Sequence, residues 1–323
     1  MTNRAITAIA SASPAIIYYA QARTRDLARD LILALFTRHL ILALVERWHV
    51  LIKAFLAGGM ARQSIVRRCV LALSGLSLLV IASNARAQDN YEIQVYGYEL
   101  VPPRHTMVEV HSNFTLDGAK RIDNGLLPTN HAVHETLEIT HGFNDWFECG
   151  FYVFTSLRSG DGWDWVGDHI RPRAAIPQKW HWPVGLSLSN EIGYQRRSYS
   201  EDTWTWEMRP IVDKQLGRWY LSFNPTFDRA IHGPNADKGF EFSPNFKISY
   251  DITRKIAFGV EYYGALGPVT GFDPISKQQQ QIFPAFDLNL APQWEVNFGL
   301  GLGVTAGSDH LIAKGIIGYR FNF

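Results

Sequence analysis

The stretch Leu311-Ile-Ala-Lys-Gly-Ile-Ile-Gly-Tyr-Arg-Phe-Asn-Phe323 decides the fold. Because side chains of a β-strand alternate between two faces, its odd-numbered residues share one largely apolar face. Lys314, Arg320 and Asn322 lie on the opposite face. An apolar face that ends in alternating aromatic residues is typical of a barrel strand whose outer side meets lipid and whose inner side meets water. The stretch therefore predicts a membrane-spanning β-barrel.

The aromatic residues at the end of this stretch resemble the C-terminal signature of Gram-negative outer-membrane β-barrels. In that signature, a terminal Phe and aromatic residues two and four positions earlier are read by the barrel-assembly machinery. Tyr319, Phe321 and Phe323 stand at those three positions. The resemblance implies an outer-membrane location, contact with outer-membrane lipid, and an assembly-signal role for the three aromatic residues. It carries no information on oligomeric state.

Charge divides the chain into two unequal parts. Residues 1–87 hold 11 Lys or Arg and 3 Asp or Glu, whereas residues 88–323 hold 20 basic and 27 acidic side chains. The larger part is therefore acidic, and an acidic surface repels phosphate. This balance argues against a nucleic acid as partner.

Residues 60–87 have the three parts of a secretory signal peptide. Arg62, Arg67 and Arg68 precede an apolar run from Val70 to Ala82, and the small-x-small motif Ala85-Arg-Ala87 follows. The apolar run is too short to span a bilayer as a helix. We expect cleavage after Ala87 and a functional start at Met60.

Two segments leave alternatives open. Residues 1–59 are either an over-extended start of the reading frame or an amphipathic helical extension, because Arg38, Glu46 and Lys53 interrupt an otherwise apolar pattern. Residues 88–104 contain Pro102-Pro103 and form either a periplasmic tail or a partial plug. The barrel itself is predicted to span residues 105–323.

The predicted fold class is all-β: a transmembrane, antiparallel, up-and-down β-barrel of about twelve strands. Gly, Pro, Asn and Asp separate runs of about a dozen residues, most of which alternate in hydrophobicity. Transmembrane strands need about 9–11 residues, and bacterial barrels have even strand numbers. The predicted strands are 105–116, 132–142, 146–157, 165–176, 184–197, 203–214, 219–230, 239–251, 256–267, 280–290, 294–305 and 311–323.

The predicted connections alternate between tight turns and longer polar loops, as in outer-membrane barrels. The longer loops are predicted at 117–131, 158–164, 198–202, 231–238, 268–279 and 306–310. Trp residues fall near the predicted strand ends, which is the arrangement of two interfacial girdles. Five prolines within predicted strands oppose this assignment, and we expect β-bulges or nearby strand ends at Pro172, Pro210, Pro225, Pro244 and Pro284.

Charged residues alternate with the apolar ones and are predicted to line the lumen. They are Glu109, His111, Glu138, Glu148, Arg171, Arg173, Glu191, Glu207, Arg209, Asp228, Glu241, Lys247, Glu261, Asp287, Glu295, Lys314 and Arg320. Two interpretations remain open, since these groups either pair across a tight interior or line a water-filled channel. Gly299, Gly301 and Gly303 leave space on the same face, either for a large neighbour such as Tyr263 or for a pore.

One predicted hairpin, His141-Gly-Phe-Asn-Asp-Trp-Phe-Glu-Cys-Gly-Phe-Tyr-Val-Phe154, combines a polar turn with a Glu-x-Gly step. It is similar to the turn-and-strand pattern of a family of outer-membrane transporters linked to meta-pathway phenol degradation. The resemblance implies a transporter-like barrel.

Catalytic and metal-binding patterns are not found. Asn190 is a polar residue on the predicted lipid-facing wall, but its neighbours there offer neither Ser nor His for acyl transfer. His131 and His134 fall on opposite faces of a strand and do not converge on a metal. The sequence predicts no enzyme, no catalytic residues, no metal and no cofactor.

Two functions follow from these patterns. The first is a channel or transporter for small solutes, and the second is a structural or surface-binding barrel with a closed lumen. If the lumen conducts, its ten carboxylates against six Lys or Arg predict a weak preference for cations.

Overall fold

The computed structural model describes residues 91–322 of the protein. The predicted extension of residues 1–59, the predicted signal peptide of residues 60–87, residues 88–90 and Phe323 lie outside the described residues.

Residues 91–322 contain twelve β-strands and one short 3₁₀ turn, Gln178–Trp180. The strands are β1 (His105–Asp117), β2 (Val133–Gly142), β3 (Phe147–Arg158), β4 (Gly162–Ala175), β5 (Gly185–Gln195), β6 (Trp204–Leu216), β7 (Trp219–His232), β8 (Phe240–Asp251), β9 (Ile256–Ala265), β10 (Gln279–Leu288), β11 (Trp294–Gly303) and β12 (Leu311–Asn322). Within this part of the chain, no helix is both long and apolar enough to cross a bilayer.

The strands form one closed sheet in chain order. Each strand pairs antiparallel with the strands before and after it, and β1 closes the barrel by pairing with both β2 and β12. At the closure, Val110 of β1 lies opposite Ile317 of β12 and Leu137 of β2. The predicted all-β fold with twelve antiparallel strands is confirmed, and most predicted strand ends fall within two residues of the observed ones.

The two faces of the barrel wall have opposite chemistry. Apolar side chains such as Ile170 (51% exposed), Phe151 (47%) and Leu300 (47%) lie on the outer face. Charged and polar side chains such as Glu138 and Asn224 lie fully buried on the inner face. Exposure of so many apolar side chains to water is unfavourable, whereas their contact with lipid is favourable. The wall is therefore that of a membrane-spanning barrel.

Tryptophan side chains lie at the strand ends. Trp204, Trp219 and Trp294 are the first residues of β6, β7 and β11, and each is between 41% and 49% exposed. Trp146 precedes β3, and Trp163 is the second residue of β4. Aromatic residues at these positions form the interfacial bands of transmembrane barrels.

The links define two ends of the barrel. At the end that we call the turn end, strands are joined by residues 143–146, 176–184, 217–218, 252–255 and 289–293. At the opposite end, the loop end, the links are 118–132, 159–161, 196–203, 233–239, 266–278 and 304–310. The predicted long loop at 158–164 is wrong, because β3 and β4 extend further and leave only residues 159–161 between them.

The expected bulges at the strand prolines are also wrong. All five prolines lie inside strands, and the recorded register shifts of residues 91–322 lie elsewhere, at Thr115/Asp117, Phe154/Thr155 and Trp204/Thr205. At Pro172, the pairs Ile170–Ile192 and Arg173–Ser189 keep one register on either side of an interruption in the β4–β5 ladder. Proline lacks the N–H needed for that ladder. The remaining hydrogen bonds of β4 with β3 and β5 keep residue 172 within the strand.

Candidate functional site

The barrel lumen collects the charged residues that the sequence predicts to line it. All seventeen belong to strands and are fully or partly buried. Ten are buried: Glu109, His111, Glu138, Glu148, Arg171, Arg173, Glu191, Arg209, Glu261 and Lys314. Seven are partly buried: Glu207, Asp228, Glu241, Lys247, Asp287, Glu295 and Arg320.

The lumen also contains residues 91–101, which we call the inner segment. This segment is not part of the barrel wall, yet Tyr91, Ile93, Val95, Tyr96 and Val101 are each at most 9% exposed. Its apolar side chains Ile93 and Val95 pack with inner-face residues of β9, β10 and β12. The inner segment therefore fills the middle of the barrel.

Backbone groups at the start of the inner segment bond to three strands. Tyr91 O accepts hydrogen bonds from Asn113 Nδ2 of β1 at 3.4 Å and from Thr136 Oγ1 of β2 at 2.6 Å. Ile93 O accepts a hydrogen bond from Lys314 Nζ of β12 at 3.1 Å. A buried carbonyl without a partner is costly, so these side chains satisfy a need that the segment creates.

The middle of the segment is held at Tyr96. Its backbone N–H donates to Asn224 Oδ1 at 2.8 Å, and its carbonyl accepts from Ser222 Oγ at 2.6 Å. The Tyr96 ring lies among three guanidinium groups, with the ring centroid 5.1 Å from Arg171 Cζ, 5.7 Å from that of Arg173 and 4.9 Å from that of Arg209. Cations near an aromatic face are attracted to it.

The last part of the segment lies toward the turn end. Tyr98 N–H donates to Asp213 Oδ2 at 2.9 Å, and Val101 N–H donates to Glu148 Oε2 at 2.6 Å. Arg173 donates to Gly97 O. The inner segment thus contacts strands around the barrel from β1 to β12.

Ion pairs connect most of the buried charges. In β2, β3 and β4, Arg171 pairs with Glu138 at 2.5 Å and with Glu148 at 3.5 Å, and Arg173 pairs with Glu148 at 3.5 Å. Across the barrel, Lys247 pairs with Glu261 at 3.2 Å and Asp287 at 2.7 Å, and Lys314 also pairs with Glu261. On each side the pairs join strands that are neighbours or near neighbours in the wall, and Lys314 of β12 reaches Glu261 of β9.

A third group of charges lies beside the inner segment on β4, β5 and β6. Arg209 pairs with Glu207 at 2.7 Å and with Glu92 of the segment at 3.5 Å. His169 Nδ1 lies 2.5 Å from Glu191 Oε1. The segment consequently contributes its own charge to the lumen network.

Two cavities lie along the barrel axis, one toward each end. The turn-end cavity has a volume of about 520 Å³ and is lined by residues 94–101 together with Glu109, Glu148 and Glu295. The loop-end cavity has a volume of about 340 Å³ and is lined by Tyr91, Glu92 and Asp228 among others. The inner segment lines both cavities and lies between them.

One side chain of the loop-end cavity belongs to the link 196–203. Tyr199 lines this cavity and donates a hydrogen bond to Asp164 at 2.7 Å. Partial burial and this bond raise the pKa of Tyr199 to about 12. Its hydroxyl therefore keeps its proton at neutral pH and remains a donor at this end of the barrel.

A large neighbour fills the space at one of the three inner-face glycines, Gly301. A Cβ atom at Gly301 would lie 2.1 Å from Phe283 Cζ, so the ring of Phe283 occupies the space that the missing side chain leaves. At Gly301 the large neighbour is Phe283 and not the example Tyr263, which packs edge-on against Phe283 at 5.3 Å. Phe283 lies on β10, directly beside β11, and reaches Gly301 without crossing the lumen.

Sequence reasoning missed the polar residues that hold the inner segment. Asn113, Thr136, Asp213, Ser222 and Asn224 are uncharged or lie near a strand end, and a search for charged positions passes over them. Their inner-face placement follows from strand periodicity, because the buried residues Ser222, Asn224 and Thr226 alternate with exposed or partly exposed residues on β7. Their role depends on distant partners, such as Tyr96 for Asn224, 128 residues away in the chain. Strand periodicity does not reveal such partners.

Two residues of the predicted assembly signal lie in β12. Tyr319 packs against Trp294 and against Phe321, with ring centroids 4.8 Å apart in each case. Phe321 is 41% exposed. The assembly role of Tyr319, Phe321 and Phe323 stays a prediction.

Comparison with known proteins gives structural neighbours only. No family model and no curated protein matches the chain. Among solved structures, an outer membrane channel from Pseudomonas putida F1 is similar with a TM-score of 0.47 and 11% identity, covering 71% of this chain and 100% of the other. The KdgM porin (TM-score 0.43, 9% identity, 67% of this chain, 99% of the other) and the NanC porin (0.43, 9%, 67%, 100%) are also similar.

Proposed function

We propose that the protein is an outer-membrane channel for small solutes whose lumen is closed, in the conformation described, by the inner segment. The observation that carries this proposal is the pair of cavities of about 520 and 340 Å³, each lined in part by charged side chains, that lie toward the two ends of the barrel. A barrel that only anchors or binds at its surface has no need of cavities with charged linings inside it.

The material that separates the cavities differs from a packed barrel core. It is one stretch of eleven residues, 91–101, and it belongs to none of the barrel strands. Side chains of the wall form hydrogen bonds with the backbone groups of this segment, and each such bond contributes about 0.5–1.5 kcal/mol net. Loss of these bonds leaves a twelve-stranded wall, a size for which a lumen wider than its own side chains is reasonable.

The outer-membrane location is part of the same proposal. It is supported by the exposed apolar outer face, the Trp residues at both ends and the predicted signal peptide of residues 60–87. In this location the protein contacts outer-membrane lipid and depends on the barrel-assembly machinery. The turn end faces the periplasm, because periplasmic turns are the short ones.

The resemblance of the hairpin His141–Phe154 to transporters linked to phenol degradation belongs to this proposal as well. It favours uptake of a small solute but identifies no substrate. We propose no enzymatic activity.

The alternative is a structural or surface-binding barrel whose lumen never opens. It is favoured by the number of strands that the inner segment contacts and by the ion pairs on both sides of the lumen. In this alternative, residues 91–101 are a permanent core, and they replace the water that would otherwise solvate the charged inner face.

Planar-bilayer conductance separates the two functions. The full chain and a variant that lacks residues 91–101 are each reconstituted, and folding is checked by circular dichroism and resistance to protease. A channel gives rare openings in the full chain and steady conductance in the deletion variant. A folded deletion variant without conductance contradicts the channel proposal and supports the closed barrel.

A further inference from the structure

Three inner-face side chains near the closure of the barrel form a compact group, and of these only Glu138 also pairs with an arginine. Glu109 and His111 are consecutive inner-face residues of β1, and Glu138 of β2 lies directly opposite Glu109. Their ligand atoms lie within 4.8 Å of one another. Each side chain is at most 6% exposed, so water does not solvate the group from outside.

Several polar atoms of this group have no hydrogen-bond partner. Glu109 Oε1 and His111 Nδ1 have none, and His111 Nε2 and Glu138 Oε2 face each other at 3.4 Å without a closer partner. A buried acceptor without a partner is costly, and more so when it is charged. These buried atoms therefore need a bonding partner other than the three side chains themselves.

The orientation of the Glu138 carboxylate is fixed by the hydrogen bonds to its Oε1 atom. Its Oε1 accepts hydrogen bonds from Arg171 at 2.5 Å and from Thr140 at 2.7 Å. Its Oε2 is thereby directed toward His111 Nε2, at 3.4 Å. Partners that fix one oxygen and leave the second free are typical of the groups around a metal-binding carboxylate.

Negative charge accumulates in one row of the wall. Across β11, β12, β1 and β2, the paired residues are Glu295, Gly318, Glu109 and Glu138. Like charges in directly opposite positions are destabilising, and burial increases the effect. Arg171 neutralises Glu138, but the row contains no cation of its own. A bound cation would remove this repulsion.

Gly318 makes room for Glu109 in this row. A Cβ atom at Gly318 would lie 2.7 Å from Glu109 Cγ. Glu109 also lines the turn-end cavity, which provides a path for an ion from that end of the barrel. The Glu109 side chain thus occupies the space beside Gly318 and is the member of the group that borders the cavity.

We propose that Glu109, His111 and Glu138 bind one divalent transition-metal ion, with zinc as the probe. Two carboxylate oxygens and one imidazole nitrogen are ligands that Zn²⁺ accepts readily. A tetrahedral zinc ion with bonds of about 2.1 Å holds its ligand atoms about 3.4 Å apart, which is the distance between His111 Nε2 and Glu138 Oε2. The ion ties β1 to β2 beside the closure with β12. This proposal does not depend on whether the lumen conducts.

Zinc binding to the full chain in detergent tests the proposal. The protein is stripped with a chelator and dialysed against Zn²⁺, its metal content is measured by mass spectrometry, and affinity is measured by calorimetry. We expect one zinc ion per chain in the wild type. Glu109→Gln and His111→Gln should each weaken this binding by at least about 100-fold, because each removes a ligand. Glu109→Gln is isosteric and removes a repulsive charge, so it is expected to fold.

His169→Gln is the matched control. His169 is also a buried histidine beside a glutamate, Glu191, on neighbouring inner-face strands, but it is not part of the three-residue group. This variant should bind zinc as the wild type does. Equal binding by the wild type and His111→Gln would overturn the proposal, since the ion would then sit on other histidines. Absence of zinc from the stripped and reloaded wild type would overturn it as well, leaving a shared proton as the neutralising species.

Discussion

The side-chain amide of Asn224 on β7 bonds both backbone groups of Tyr96, with Oδ1 accepting from N–H at 2.8 Å and Nδ2 donating to the carbonyl at 3.1 Å. One amide thus provides the pair of bonds that a neighbouring strand would give. It holds the centre of the inner segment without adding a strand to the barrel.

Replacement of Asn224 by Ala should therefore release the inner segment more often. Loss of two hydrogen bonds of about 0.5–1.5 kcal/mol each amounts to about 1–3 kcal/mol, or a shift of about 5- to 150-fold toward the released state. We expect a higher open probability in planar bilayers and faster hydrogen exchange at the Tyr96 amide. Asn245→Ala is the control, because Asn245 lies opposite Asn224 on β8 and bonds Thr226 instead. Equal effects of both changes would contradict the special role of Asn224.

Cation preference is expected of any conducting form. The predicted lining holds ten carboxylates and six Lys or Arg, and carboxylates in excess attract cations. Reversal potentials of the variant that lacks residues 91–101, measured in a KCl gradient, should indicate a weak cation preference. The preference should decrease from 0.1 M to 1 M salt, because the Debye length falls from about 10 Å to about 3 Å. Glu295→Gln should reduce it, whereas Asp161→Asn in the exposed link 159–161 should not. A clear anion preference would refute this prediction.

Substitution of Gly301 by Ala should destabilise the barrel. The added methyl group collides with the ring of Phe283, and such overpacking costs about 1–3 kcal/mol. Gly315→Ala, on the next strand, is the matched control, since its nearest neighbour is Ser112 O at 3.9 Å. Urea unfolding in lipid vesicles measures both. Equal stability of the two variants would mean that Phe283 moves aside without cost.

An arginine on the outer face tests whether that face meets lipid. Ile170 lies in the middle of β4, between Phe151 and Ile192 on the neighbouring strands, and is 51% exposed. Ile170→Arg should cost about 2–4 kcal/mol in vesicles, as expected near the bilayer midplane. Ile122→Arg should cost little, because Ile122 is 66% exposed in the link 118–132. A cost that is the same at both positions would exclude a lipid-facing wall at Ile170.

Most of the barrel wall could be predicted from the sequence, because the alternation of apolar and polar residues is a local property of each strand. The prolines and the link after β3 were the exceptions. Strand β4 continues through Pro172 because its pairing with β3 is continuous and its pairing with β5 resumes in the same register beyond the proline. The sequence of β4 alone does not show this pairing. At residues 159–161, the wall continues for several residues past the apolar pattern, so the boundary could not be located from hydrophobicity.

The inner face was predictable as a set of positions but not as a set of partners. Glu109 and Glu148 have the same periodic signal, yet Glu148 pairs with Arg171 and Arg173, and Glu109 lies in a row of glutamates. The difference comes from the register between strands, and register is fixed by turns and by closure of the whole sheet.

The sequence by itself determined the strand number, the two faces of the wall and the residues on each, because these depend on periodicity and chain length alone. Only the tertiary structure decided what fills the lumen. Residues 91–101 lack a pattern that distinguishes a tail from a plug, and their backbone groups find partners only when Asn224, Asp213 and Glu148 converge from separate strands. Such convergence requires a closed barrel, since the three side chains are brought together by its curvature and not by their spacing in the chain.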